Sequence, residues 1–163
     1  MAKAKHAVPE GKHTITPVLS CDDAAAAIDW YKKAFGAEEK SRATGPDGRI
    51  LHAEILIGNS YVMLHDAMGA KGPKVYGGSP ASMWIYVDDA DALFNRAVAA
   101  GAHVNEGPMG QMSDQFWGDR CGALTDPAGY IWTIATHKED LTADEMKHRQ
   151  AEFMKQFEPQ PKS

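Results

Sequence analysis

The chain repeats itself once, and that repeat restricts its fold more than any other feature. Residues 21–37 read CDDAAAAIDWYKKAFGA and residues 87–102 read VDDADALFNRAVAAGA. Each has a strand end, an Asp-Asp-Ala entry, an amphipathic run and a Gly-Ala exit. Asp22 or Asp23, and Asp88 or Asp89, are placed to cap a helix. Ile28, Tyr31 and Phe35 recur at helical spacing in the first copy, and Leu93, Ala97 and Val98 in the second. Gly36 and Gly101 supply the helix ends. Two copies are too few for a solenoid, so they must bury each other.

Strand patterns flank both helices. Residues 14–21 and 82–87 precede them. ILHAEILIG (50–58), a Gly-Asn turn and SYVMLH (60–65) follow the first as a hairpin. RCGALT (120–125), an Asp-Pro-Ala-Gly turn and YIWTIATH (130–137) follow the second. Short strands near 38–44 and 103–106 complete the halves. The expected class is α+β: two β-α-β-β-β modules, about 13–66 and 80–137, within one domain spanning 13–137. Residues 1–12 read as a flexible N-terminus and 138–163 as a C-terminal helix and tail. Thr142 with Glu145 forms a capping box for that helix, with Leu141 placed to staple Met146. Met146, Gln150, Phe153 and Phe157 mark one face, to be laid on its own sheet or on a second subunit. Pro159 and Pro161 are expected to end the ordered chain.

Composition excludes several function classes. Hydrophobic residues make up 44% of the 163 and charged residues 24%, the balance of a globular protein. A net charge of −5 argues against nucleic acid as a partner. No segment approaches the roughly 20 apolar residues of a membrane helix, and MAKAKHAVPEGKH has no apolar run behind its lysines, so neither membrane nor secretion is expected. Cys21 and Cys121 show no CxxC spacing and read as two buried thiols in a reducing, cytoplasmic compartment.

The doubled module, with DDAAAAIDWYKKAFGAEE and LTDPAGYIWTIATH, resembles the vicinal oxygen chelate superfamily of glyoxalases, extradiol dioxygenases and bleomycin-resistance proteins. GRILHAEILIGNSYVML and DQFWGDRCGALTDPAGYIWTIATHKEDL resemble its PhnB-like branch most. The resemblance implies curled sheets, helices on the convex side and a small-molecule site in the concave cup, closed within a chain or across a homodimer. It also implies metal-ligand positions on the first and last strands of each module, here Thr16, Met63, Ser82 and Thr133. Hydroxyls and a thioether suit zinc, nickel or iron poorly, so no metal and no other cofactor is expected there. An alternative set is His52, Glu54 and His65.

Strand alternation assigns the rest. Leu51, Ala53, Ile55 and Ile57 should meet the helix, leaving His52 and Glu54 in the cup with Tyr61, Met63 and His65. Thr14, Thr16, Val18, Ser20, Ser82, Trp84, Tyr86, Ile131, Thr133, Ala135 and His137 line the cup too, and Trp132 enters the core. Trp84 and Trp117 are candidates to stack on a ligand or to fill core. Arg120, matched to Ile50, should face the cup and clamp an anion, or else pair with Asp119 or Asp114 or bridge to another subunit. His137, at a strand end, is a ligand contact, a catalytic group or a hydrogen-bonded structural residue. Three functions remain open: a small-molecule binder; a metal-independent lyase or isomerase with Glu54 as base, its pKa raised by burial, and His52 as partner; and a metal-dependent lyase or dioxygenase using His52, Glu54 and His65.

Overall fold

Each repeat starts its helix with an aspartate cap. In the computed structural model, which describes residues 4–69 and 71–157, Asp23 accepts from the Ala26 amide ahead of α1 (Ala24–Phe35). Asp89 accepts from Ala92 ahead of α2 (Ala90–Ala99). Both carboxylates sit where free amides and the positive helix end favour them. Gly36 ends α1 at φ 68°, a left-handed conformation that suits glycine. The second helix closes differently: Ala100 is its cap and Gly101 follows at φ 103°.

The first module holds β1 (Val18–Cys21), β2 (Glu38–Thr44), β3 (Ile50–Ile57) and β4 (Ser60–Asp66), ordered β1-β4-β3-β2. The second holds β5 (Ser82–Tyr86), β6 (His103–Val104), β7 (Ser113–Asp114), β8 (Asp119–Thr125) and β9 (Ile131–His137), ordered β5-β9-β8-β6, with β7 also on β8. In each module the first strand runs parallel to the last, and the remaining pairs are antiparallel. The expected α+β class and doubled module are therefore present. Three details differ from the sequence reading. Residues 14–17 precede β1 rather than belonging to it, the strand expected at 103–106 is two residues long, and β7 was not foreseen. Pro159 and Pro161 lie outside the described residues.

The core forms where the modules meet. Trp132 reaches from β9 to Tyr31 and Phe35 of α1, with ring centroids 5.5 and 5.1 Å apart. Trp30 Nε1 donates to Ala100 O at 3.0 Å, and Arg96 Nε donates to Ala34 O at 2.6 Å, fastening α1 to α2. Asp126, 3% exposed, accepts from Tyr31 Oη, Trp132 Nε1 and the Tyr130 amide, so its buried charge has three donors. Tyr130 Oη accepts from Ser20 N at 2.8 Å and donates to Ser20 O at 2.9 Å. Ser20 lies on β1 between Leu19 and Cys21, so this hydroxyl stands along the side of β1 away from β4.

Alternation places side chains as foreseen along most of β3, where Ala53, Ile55 and Ile57 are buried. It fails at the strand's start. The pairing of β2 with β3 shifts register between Ala43 and Thr44, Ile50 becomes buried, and Leu51 is 48% exposed. An irregular pair resets which face a residue takes. In α2 it is Phe94 rather than Val98 that joins Ala97 in the core. The C-terminal helix, α3 (Ala143–Met154), has the expected box: Thr142 Oγ1 accepts from the Glu145 amide, and Glu145 accepts from the Thr142 amide. None of its residues is buried, and Phe153 meets Phe116 at 5.1 Å.

Candidate functional site

Two polar clusters occupy the sheet faces turned away from the helices, one on each module. In the first, Glu54 stands beside Met63 across the β3–β4 ladder and Met63 beside Val18. His52 Nε2 lies 3.5 Å from Glu54 Oε1, so the two expected partners are together. The sequence reading omitted a third member. Lys12 donates from Nζ to the same carboxylate oxygen, and its ammonium lies 5.2 Å from the Tyr61 ring centroid. Burial opposes the Glu54 charge, but the Lys12 hydrogen bond outweighs it and holds the carboxyl below its ordinary range, with His52 adding to the effect. The expectation of a burial-raised Glu54 is therefore corrected, since a lysine that contacts a carboxylate stabilises its charged form. His65 Nδ1 sits 2.9 Å from Asp66 O. Among the described residues no group of three or more His, Cys, Asp or Glu side chains is placed to hold a metal, so the set of His52, Glu54 and His65 is not assembled.

The second cluster centres on Asp119, a residue the sequence reading passed over except as a partner for Arg120. It is 4% exposed at the start of β8. Its Oδ2 accepts from Tyr86 Oη at 2.8 Å and from Trp117 Nε1 at 2.9 Å, and its Oδ1 accepts from His137 Nδ1 at 2.7 Å. Burial works against the charge, yet the hydrogen bonds from His137, Tyr86 and Trp117 prevail, so the carboxyl is held below its usual range. Trp84 adjoins this group, 6.1 Å from Tyr86 and 6.5 Å from Trp117 by ring centroid. At 42% and 59% exposed, Trp84 and Tyr86 are an aromatic surface rather than core. Trp132 takes the core role expected of it. The only local signal for Asp119 was its place in Trp-Gly-Asp-Arg, because its partners on β5 and β9 are remote in sequence.

Arg120 belongs to neither cluster. It pairs with Thr136 across β8–β9, and Thr136 Oγ1 accepts from Ala90 N at the start of α2. Arg120 therefore faces α2 rather than the cup. Its Nε and Nη2 meet the two oxygens of Asp91 at 2.6 and 2.7 Å, a bidentate fork, and Nη1 meets Asp114 at 3.3 Å. Matching Arg120 to Ile50 was one residue out: β8 pairs Ala123 with Thr133 as β3 pairs Glu54 with Met63, so Arg120 corresponds to Leu51, on the row expected to meet the helix. The alternative pairing with Asp114 is present.

A cleft of about 1210 Å³ brings the modules together. Thr16 and Tyr61 line it from the first, and Ser82, Trp84 and Tyr86 from the second. Of the expected site residues, Tyr61 and Trp84 face this space. His52, Glu54, Trp117 and His137 are not among the residues that line it. Among the described residues no hydrogen bond, ion pair or ring contact links the Glu54 cluster to the Asp119 cluster.

The sequence matches the model of the Glyoxalase/Bleomycin resistance protein/Dioxygenase superfamily over residues 12–134. It is 41% identical over 139 residues to uncharacterized protein Mb0911c of Mycobacterium bovis, across 82% of this chain and 89% of that one. The structure of TioX from Micromonospora sp. ML1 shares 26% identity with a TM-score of 0.59, across 80% of this chain and all of that one. A bleomycin-binding protein in complex with bleomycin shares 18% identity with a TM-score of 0.57, across 78% and 100% of the two chains, a likeness of fold.

Proposed function

Because the chain belongs to the glyoxalase/bleomycin resistance/dioxygenase superfamily, we propose that it binds a small molecule with a flat apolar body in the cleft between its modules. The observation that carries this reading is the convergence of Tyr61 with Trp84 and Tyr86 around one open space. Clefts of this kind, largely apolar with a few polar groups, are where proteins hold small ligands. Trp84 stacks on the ligand, Trp117 stands behind it at 6.5 Å by ring centroid, and Tyr61 bounds the ligand from the other module. Arg120 is not included, since Asp91 occupies its fork.

The reading takes no metal. Thr16, Met63, Ser82 and Thr133 offer three hydroxyls and a thioether, a donor set that does not fit zinc, nickel or iron. It takes a homodimer, supported by the exposure of Ile15 (84%) and Val18 (57%) and by the position of β5 at a sheet edge. An apolar rim and a strand with one open edge are surfaces that a second copy covers. A lyase or isomerase reading with His52 and Glu54 as the proton-handling pair is supported by their proximity. Lys12 weighs against Glu54 as a base.

The test uses protein purified without an affinity tag, titrated with 2-naphthol, 2-naphthoate and 2-naphthylamine while tryptophan fluorescence is followed. At least one should quench and saturate, and Trp84→Ala and Tyr61→Ala should each weaken that binding about tenfold. Binding of none, or binding indifferent to both changes, overturns the reading.

A further inference from the structure

His137 and Asp119 have an arrangement that ligand binding alone does not require. The histidine ends β9, on the same face as Thr133 and Ala135, and Tyr86 pairs with Ala135 on the neighbouring strand. It therefore stands in the row next to the aromatic wall. One ring nitrogen, Nδ1, is fixed to a carboxylate that is 4% exposed. The other, Nε2, is 3.0 Å from Oδ1 of Asp140, whose side chain is fully exposed. A protonated imidazole donates to both acids. A neutral one has a single N–H, and the buried acid, which would lose a short charged hydrogen bond, keeps it. That leaves a lone pair on Nε2 facing the Asp140 carboxylate, an arrangement with no attraction, so Asp140 turns into water and Nε2 is open. This is the division of labour seen wherever a buried acid orients an imidazole for proton transfer.

We propose that His137, oriented by Asp119, is a general base serving the aromatic wall of Trp84, Tyr86 and Trp117, and that it acts on a flat substrate carrying an acidic proton at the edge of its ring system. The proposal rests on the reading that this wall binds a planar ligand. His137 is the catalytic residue and Asp119 the positioning residue. The same carboxylate that turns the imidazole also holds Tyr86 Oη and Trp117 Nε1, so base and wall share one anchor. The groups facing His137 are Asp119 from β8, Asp140 from the segment after β9, and Tyr86 from β5 through Asp119. Both carboxylates favour the imidazolium, and so raise the pH at which the base becomes free.

The probe is 5-nitrobenzisoxazole, a planar molecule with one acidic C–H. Nε2 takes the proton from C3, the C–H electron pair becomes part of the nitrile, the N–O bond breaks, and the oxygen leaves as a coloured nitrophenolate. The imidazolium then returns its proton to water, so no further reactant is needed. A positioned base contributes about 10²- to 10⁴-fold. Turnover should exceed that of free imidazole at equal concentration, fall at least tenfold in His137→Asn, and stay unchanged in His103→Asn and His148→Asn. It should rise with pH through one ionisation. Asp119→Asn should move that ionisation downward, a shift that loss of structure alone does not produce, and Asp119→Glu should restore part of it.

Tryptophan quenching by the probe separates the two readings. Quenching by wild type and His137→Asn alike, with equal turnover in both, overturns the base and leaves the binding site standing. Absence of quenching by this probe while a naphthyl compound still binds overturns the base alone, and absence with all four compounds overturns both. Turnover abolished by Glu54→Gln but untouched in His137→Asn assigns the base to the other module and also ends the proposal.

Discussion

Tyr31 on α1 donates its hydroxyl hydrogen to Asp126 at 2.6 Å, across 95 residues of sequence, and the same acid oxygen accepts from Trp132. The bond joins the helix of one repeat to the turn before the last strand of the other. Burial pushes the Tyr31 phenol well above its ordinary value, with the neighbouring Asp126 charge adding to it, so the hydroxyl remains a donor throughout the working pH range. Tyr31→Phe keeps the ring against Trp132 and removes only the donor. It should cost about 1.5–3 kcal/mol, the worth of a hydrogen bond to a charged group, read as a lower urea midpoint at unchanged slope.

Gly118 joins the Trp117 turn to the chain leaving β9. Its carbonyl accepts from both Lys138 N and Glu139 N. It has φ 95°, and a Cβ there would lie 2.4 Å from Glu139 O. Gly118→Ala should destabilise by about 1–3 kcal/mol. Amide exchange should quicken first at Lys138 and Glu139, and a variant with unchanged protection at both sites would contradict this account.

The Asp119–His137 pair gives stability with opposite slopes on its two sides. Hydrogen bonds to Asp119 and Asp140 raise the folded histidine above 6.5, so its contribution is full below that value and is lost as pH rises through the folded one. The Asp119 carboxyl is held below 3.8, so its contribution is present above that value and is lost as pH falls through the folded one. Urea midpoints measured from acid to mild alkali should therefore pass through a maximum, and His137→Asn should flatten the alkaline fall.

Lys12 controls the charge of Glu54. Lys12→Ala removes the largest cause of the lowered carboxyl and leaves burial opposed only by His52. The Glu54 carboxyl resonance should then titrate at higher pH than in the wild type. Identical titration curves would detach Lys12 from the site.

Both thiols should be inert in the folded protein. Cys21 and Cys121 are free and buried. Burial, with nearby Asp126 and Asp66 adding to it, pushes the Cys21 thiol up to about 12. A thiol that stays protonated is a poor nucleophile. A disulfide-exchange dye at pH 8 should find about two thiols after unfolding and none before.

How much of this was legible in the sequence depended on range. The aspartate caps of α1 and α2, the box of Thr142 with Glu145 and the glycine end of α1 are decided within a few residues, and each appears where local chemistry put it. The repeat and its strand motifs were enough to place the family. Alternation along β3 held from Ala53 onward and broke at Leu51, because a register shift depends on the partner strand β2. Arg120 was carried to the wrong face by a one-residue slip between the modules, since the last-strand registers set it against Leu51 rather than Ile50. Asp119 was missed for a related reason: a buried acid is recognised by its donors, and these come from three separate stretches of chain. His52 and Glu54 were paired correctly, but the charge state of Glu54 was set by Lys12, 42 residues away.

The Tyr130 hydroxyl that answers both polar groups of Ser20 has a consequence for how the molecule behaves in a crowd. A strand whose outer amide and carbonyl are already engaged is a poor template for another chain. The far edge of the same sheet, β2, reads EEKSRAT and deters neighbours with charge, while β6 offers two residues. Among the described residues, β5 is the long strand edge that remains available for strand-to-strand growth. An object with a single adhesive margin can be satisfied by one mate related to it by a twofold axis, after which nothing is left to propagate. The fold thus permits pairing while withholding the second sticky side that a fibre needs.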